Sequence, residues 1–74
     1  MEQENYEKYR QLGLNIAYYR KLRGLSQMQL AEQVNISRTH MSRIEVGECA
    51  VSLDVVFRIA CQLEIDVYRL FLWK

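Results

Sequence analysis

No proline interrupts the 74 residues, and glycine stands at only three places, Gly13, Gly24 and Gly47. Proline removes a backbone donor and its ring clashes with the preceding helical turn, so a chain without it can carry helical hydrogen bonding wherever its side chains favour it. No stretch of strand length alternates apolar and polar residues with β-branched enrichment. Helices separated by tight turns are therefore the economical reading.

Apolar spacing divides the chain. Tyr9, Leu12, Ile16 and Tyr19 recur at three- and four-residue steps and mark one face of a first helix over about 5–23, which Gly24 stops. Ser26 offers an N-cap to a short second helix over about 27–33 that turns Leu30, Ala31 and Val34 one way. Asn35 tolerates the left-handed turn conformation, and Ser37 offers the cap of a third helix over about 38–46 that buries Met41 and Ile44 and ends at Gly47. Ser52 is placed to cap a fourth helix with Leu53, Val56, Phe57, Ala60 and Leu63 inward. Asp66 is placed to cap a final turn or two carrying Val67, Leu70 and Phe71, with Leu70 and Phe71 in the core. The expectation is a compact all-α domain of about five helices spanning residues 1–74.

Composition narrows the function classes. Half of the residues are hydrophobic and 26% charged, as in a globular protein rather than a disordered tail. No run approaches the roughly 18 apolar residues of a membrane span. The first fifteen residues hold Glu2, Glu4 and Glu7 and no apolar signal stretch, so a cytoplasmic protein without a membrane partner is expected. Cys49 and Cys61, with His40 as the one histidine, are too few for a tetrahedral zinc site. Both thiols read as free and reduced, Cys61 half-buried on its helix and Cys49 in a connection. Neither a glycine-rich phosphate loop nor a nucleophile with an orienting base is present, so no enzyme, cofactor or small-molecule ligand is expected. A chain of this length buries only about 60% of its unfolded surface. With disulfide and metal set aside, self-association remains as its stabilising prop.

The net charge of +1 acquires meaning only when the charges are placed. Residues 16–46 hold Arg20, Lys21, Arg23, Arg38 and Arg43 against Glu32 and Glu45, a surplus of +3, while the segments on either side are each −1. A basic segment between acidic ends fits a nucleic-acid-facing patch, although a solvated helix face shows the same surplus.

Two short helices joined by a tight turn, the second carrying polar and basic residues outward, are the arrangement that sets a helix into a DNA major groove. The stretch from Leu25 to Val34, with Ser26-Gln27 and Leu30-Ala31, followed by Ile36 to Glu45 and Gly47, resembles the lambda-repressor-like (Xre/Cro) helix-turn-helix family. The helix-turn-helix itself covers about residues 26–46. Gly13, Ile16 and Arg20 resemble the family's opening, and Ser52-Leu53, Ile59-Ala60, Leu63 and Ile65 its later helices, so the resemblance covers about residues 12–71.

The resemblance implies double-stranded DNA as partner and assigns roles. Arg38, Thr39, His40, Ser42 and Arg43 stand at base-reading positions, with the two arginines favoured because an arginine can pair bidentately with guanine. Gln27 and Ser37 stand at phosphate-binding positions, and Lys21 and Arg23 are candidates for further phosphate contacts; each also reads as an ordinary cap or solvated side chain. Arg20 and Glu45 stand where the family commonly carries an ion pair between helices one and three. Asn35 replaces the usual turn glycine, Val46 a usual polar residue, and Glu48 a usual cation. The customary proline before the helix-four cap is absent. Glu48 should weaken general phosphate affinity while leaving base reading intact.

Tyr68, Leu72 and Trp73 remain exposed candidates for a homodimer interface, and Leu14, Tyr18 and Leu22 form a second apolar stripe on helix one. That stripe either packs beside the C-terminal tail, within one subunit or across a dimer, or widens the core face. The function expected is a homodimeric transcriptional regulator, by default a repressor, on a palindromic operator. It resembles short Cro-like phage regulators and restriction-modification controllers. A protein-interaction module of the same fold, antitoxin-like or regulator-binding, is the rival reading; basic and hydrogen-bonding residues on the outer face of helix three favour DNA.

Overall fold

A computed structural model describes residues 3–73 of the chain. Within them lie four α-helices, α1 Tyr6–Leu22, α2 Gln27–Gln33, α3 Arg38–Val46 and α4 Leu53–Leu63, with a 3-10 turn at Gln3–Asn5 and a 3-10 segment at Val67–Phe71. The expected fifth helix is thus a 3-10 segment, and Asp66 makes no side-chain cap bond to it. No described helix is long and apolar enough to cross a membrane.

Three serines start the helices that follow α1, each by accepting from an amide the helix itself leaves without a partner. Ser26 Oγ accepts from the Gln29 amide at 3.0 Å while Gln29 Oε1 accepts from the Ser26 amide at 2.8 Å, a complete capping box. Ser37 Oγ accepts from the His40 amide at 3.0 Å and Ser52 Oγ from the Val55 amide at 3.2 Å. The turn between α2 and α3 passes through Asn35 at φ 62°, and α3 closes on Gly47 at φ 76°. Asparagine is among the few non-glycine residues that adopt this left-handed conformation at small cost. α4 stops on Glu64 at φ 58°, a left-handed residue that no sequence signal announced.

One core joins all four helices. Leu12 and Ile16 of α1, Leu30, Ala31 and Val34 at α2, and Met41 and Ile44 of α3 are buried as their spacing implies. On α4 Val56, Ala60 and Leu63 are inward as expected, and Leu53 and Phe57 are not. Val55, Val56, Ile59, Ala60 and Leu63 are buried, whereas Leu53 and Phe57 are exposed. The helix is apolar around more than half of its circumference, and only part of that surface is covered. Phe71 is likewise outside the core, while Leu70 is fully buried. Cys61 is exposed rather than half-buried; Cys49 is half-buried in the α3–α4 connection, and both thiols are free. Leu14, Tyr18 and Leu22 are exposed, so they do not widen the core face. The tail is held on α1 by Asn15, whose Nδ2 donates to the Leu70 and Leu72 carbonyls at 2.9 Å each.

α1 and α3 cross closely. A Cβ at Gly13 would lie 2.3 Å from the Ile44 carbonyl oxygen and 2.6 Å from that of Glu45, and one at Gly47 2.7 Å from Arg10 Cα. Beside this contact the buried Arg20 and Glu45 meet: Nε donates to Oε2 at 2.6 Å and Nη2 to Oε1 at 3.0 Å. A third donor, Arg20 Nη1, reaches the Leu25 carbonyl at 2.7 Å and so ties down the α1–α2 turn.

Two stability predictions follow from this crossing. Gly13→Ala is expected to destabilise by about 1–3 kcal/mol in urea unfolding, because the new methyl group meets backbone that cannot yield without separating the helices. This reverses the sign of helix propensity, which favours alanine by about 1 kcal/mol. Arg20→Met is expected to cost about 3–5 kcal/mol by leaving a buried carboxylate uncompensated, and adding Glu45→Leu should restore most of it. A double variant no better than Arg20→Met would show that the cost lies in lost packing instead.

Candidate nucleic-acid interface

The exposed side of the α2–turn–α3 unit follows from what the other side must bury. Met41, Ile44 and Glu45 of α3 face inward, so the helix presents the opposite arc to solvent. Four-residue steps place Arg38, Ser42 and Val46 in one row of that arc and Thr39 and Arg43 in the next. Arg38, Thr39 and Arg43 are exposed and Ser42 is half-buried. His40 is exposed but shares its row with buried Ile44, so it stands at the flank of the arc rather than at its crest. Its backbone amide is the one that Ser37 caps.

Ser37 and Gln27 retain hydrogen-bonding capacity. Ser37 Oγ accepts from His40 and keeps its own hydroxyl hydrogen for a second partner. Gln27, half-buried at the first position of α2, donates from Nε2 to Glu45 Oε1 at 2.9 Å and keeps one further N–H. Both lie at helix N-termini, where free amides and the helix dipole favour an anion.

Charge is distributed unevenly around this face. Among the described residues the ion pairs are Arg20–Glu45 and an exposed Arg23–Glu64 contact at 3.4 Å, which leaves Lys21, Arg38 and Arg43 without a carboxylate partner. Lys21 is exposed in the last turn of α1. Arg23 is engaged elsewhere: its Nε donates to the Leu63 carbonyl at 2.8 Å and its Nη2 to that of Glu64 at 3.3 Å, clamping the end of α4. Arg23 thus has a structural role at the end of α4 while its side chain stays exposed. Glu48 is exposed directly after α3, where its amide donates to the Arg43 carbonyl at 2.9 Å.

Two exposed apolar residues at this face went unassigned in the sequence. Val46 continues the Arg38–Ser42 row, and Met28 follows Gln27 on the outer side of α2. The four-residue step from Ser42 was the signal available for Val46; nothing in the spacing singles out Met28.

In the C-terminal segment, the exposed Tyr68, Leu72 and Trp73 adjoin Phe71, whose ring centroid lies 6.3 Å from that of Trp73. Leu53, Phe71 and Trp73, with Tyr9 and Val51, line an open apolar groove of about 380 Å³.

Comparison with known proteins agrees with this geometry. A family model described as helix-turn-helix matches residues 16–70. An uncharacterized HTH-type transcriptional regulator of Methanocaldococcus jannaschii is 32% identical over 59 residues, covering 80% of this chain and 89% of the relative. The crystal structure of the restriction-modification controller protein C.AhdI from Aeromonas hydrophila superposes with a TM-score of 0.86 at 30% identity, over 89% of this chain and 100% of that one. A hypothetical transcription factor from Neisseria gives a TM-score of 0.83 at 29% identity, over 88% of this chain and 75% of its own. From the capped α2–turn–α3 unit, its Arg20–Glu45 tie and these matches, the chain belongs to the lambda-repressor-like (Xre/Cro) helix-turn-helix family of transcriptional regulators.

Proposed function

We propose that this protein regulates transcription by binding a palindromic DNA operator as a homodimer, acting by default as a repressor that excludes polymerase. The observation that carries the reading is the outer arc of α3. Arg38 and Arg43 carry uncompensated positive charge beside the hydroxyls of Thr39 and Ser42, on a helix whose other side is locked into the core. Arginine reads guanine O6 and N7 bidentately, at about 1–3 kcal/mol of discrimination, and the Thr39 methyl suits a thymine methyl. His40 is assigned a contact at the edge of the site. Gln27, Ser37 and Lys21 are assigned to phosphate, where they position the helix without reading sequence. A protein-interaction module would need an apolar outer face on α3, and Val46 is the one apolar side chain on that arc.

The homodimer reading is supported by the apolar end of the molecule. Leu53, Phe57, Tyr68, Phe71, Leu72 and Trp73 are all exposed, and Leu53, Phe71 and Trp73 line one open groove, the kind of apolar surface that marks an interaction site. A second copy on a two-fold axis is the assigned cover. Such an axis sets two α3 helices one DNA turn apart, about 34 Å. That one solved relative of matching length is named a restriction-modification controller makes such a role a specific candidate for this chain.

Selection of duplexes from a random pool is expected to enrich an inverted repeat with intact protein. Arg38→Ala should lose preference at one position of each half-site while retaining nonspecific binding. An intact protein that enriches no sequence would overturn the DNA reading. Sedimentation should give a dimer for the intact chain and a folded monomer for Tyr68→Ala/Trp73→Ala; an unchanged dimer would remove the C-terminal surface from the interface.

A further inference from the structure

We infer that Glu45 is a positioning residue for DNA binding: its carboxylate fixes the rotation of the Gln27 amide, so that the buried α1–α3 ion pair also sets the hydrogen-bonding state of a phosphate donor on α2. The inference rests on the DNA reading above and adds a specific coupling to it.

A glutamine amide can rotate to exchange its oxygen and nitrogen, and the two orientations have opposite consequences at an anion. With the oxygen turned to phosphate the contact is repulsive; with the nitrogen it is a donor. An ionised carboxylate can only accept, so Glu45 requires the nitrogen of Gln27, and Oε1 accepts from Nε2 at 2.9 Å. One N–H of that nitrogen is then used, and the other has no acceptor among the described residues. Glu45 can impose this because it cannot rotate itself. Its two oxygens are gripped by Arg20 Nε and Nη2, at 2.6 and 3.0 Å, in a site nearly closed to water. The Arg20 guanidinium also offsets the carboxylate charge, so Gln27 is oriented without placing an uncompensated anion behind the phosphate. Arg20 Nη1 further holds the Leu25 carbonyl at 2.7 Å, two residues before Gln27. Backbone and side chain of the phosphate donor are thus referred to the same guanidinium.

A double-mutant cycle on operator affinity tests this, run well below the melting temperature of every variant. Gln27→Met in the intact background is expected to weaken binding about tenfold per half-site, the effect of losing one hydrogen bond to a charged group in each subunit. Glu45→Gln should weaken it comparably, and Gln27→Met added to Glu45→Gln should change it less than twofold further. The preferred sequence should stay the same throughout, since a phosphate contact carries no base information. Equal losses from Gln27→Met in both backgrounds, or no loss in the intact one, would overturn the coupling while leaving the DNA reading standing. Absence of any duplex binding by the intact protein would instead overturn both. Because Glu45→Gln loosens a buried pair, a second measurement on the free intact protein accompanies the cycle. The Gln27 side-chain NH₂ should exchange with water more slowly in NMR spectra than those of exposed Gln33 and Gln62; equal exchange would overturn the proposed orientation.

Discussion

A guanidinium and a carboxylate that are both almost shut off from water must satisfy each other, and Arg20 and Glu45 do so across the α1–α3 contact. Such a pair contributes less net stability than its short distances suggest, because both ions give up hydration on burial. What it supplies here is register. The fork of Arg20 fits a carboxylate in one geometry only, and the glycine contact at Gly13 allows the backbones close enough for that geometry to form. Rotation of α3 about its axis is then fixed by Glu45 on one side and by Met41 and Ile44 on the other. The outward direction of Arg38, Thr39 and Arg43 follows from where those three inner residues are held.

Local chemistry made the helix-turn-helix legible from residues alone. Each of its boundaries is set by a group acting within four residues: the Ser26–Gln29 box, the Ser37 cap, the left-handed Asn35 and the glycine after Val46. Interactions of that range need no knowledge of the rest of the fold. α4 shows where such reading stops. Leu53 and Phe57 are as apolar as Val56 and Ile59, and one four-residue row is as good a candidate for the core as the other until the position of α1 and α2 chooses between them. Phe71 was misplaced for a related reason. The tail is a 3-10 segment pinned through Asn15, and a three-residue turn directs Leu70 inward and its neighbour out.

The candidate interface was legible in part, and the division is again physical. Which residues of α3 face outward follows from helical periodicity. Which cations remain free does not, because that depends on partners distant in sequence. Arg23 looks equivalent to Lys21 in the chain, yet the end of α4 comes to it across forty residues and takes its donors. Gln27 looked like a simple phosphate donor, and its bond to Glu45 appears only once α1, α2 and α3 are assembled. The +3 surplus of residues 16–46 is accordingly the wrong quantity to carry into the folded state. With Arg20 and Arg23 paired, the charge available around the reading face resides in Lys21, Arg38 and Arg43.

Size connects this face to the apolar end of the molecule. The described fold measures 31 × 25 × 19 Å, and α3, the helix proposed to read bases, is nine residues long. Successive major grooves on one side of DNA lie about 34 Å apart, beyond what one subunit spans with one such helix. A handful of base contacts at about 1–3 kcal/mol each distinguishes a half-site and little more. The proposed preference for a longer, palindromic site would therefore rest on two copies in fixed relation. Under that proposal the surface that fixes them would leave α3 free and would be apolar enough to hold a small domain. The exposed apolar residues of α4 and the tail, Leu53, Phe57, Tyr68, Phe71, Leu72 and Trp73, are the ones the homodimer proposal assigns to that surface.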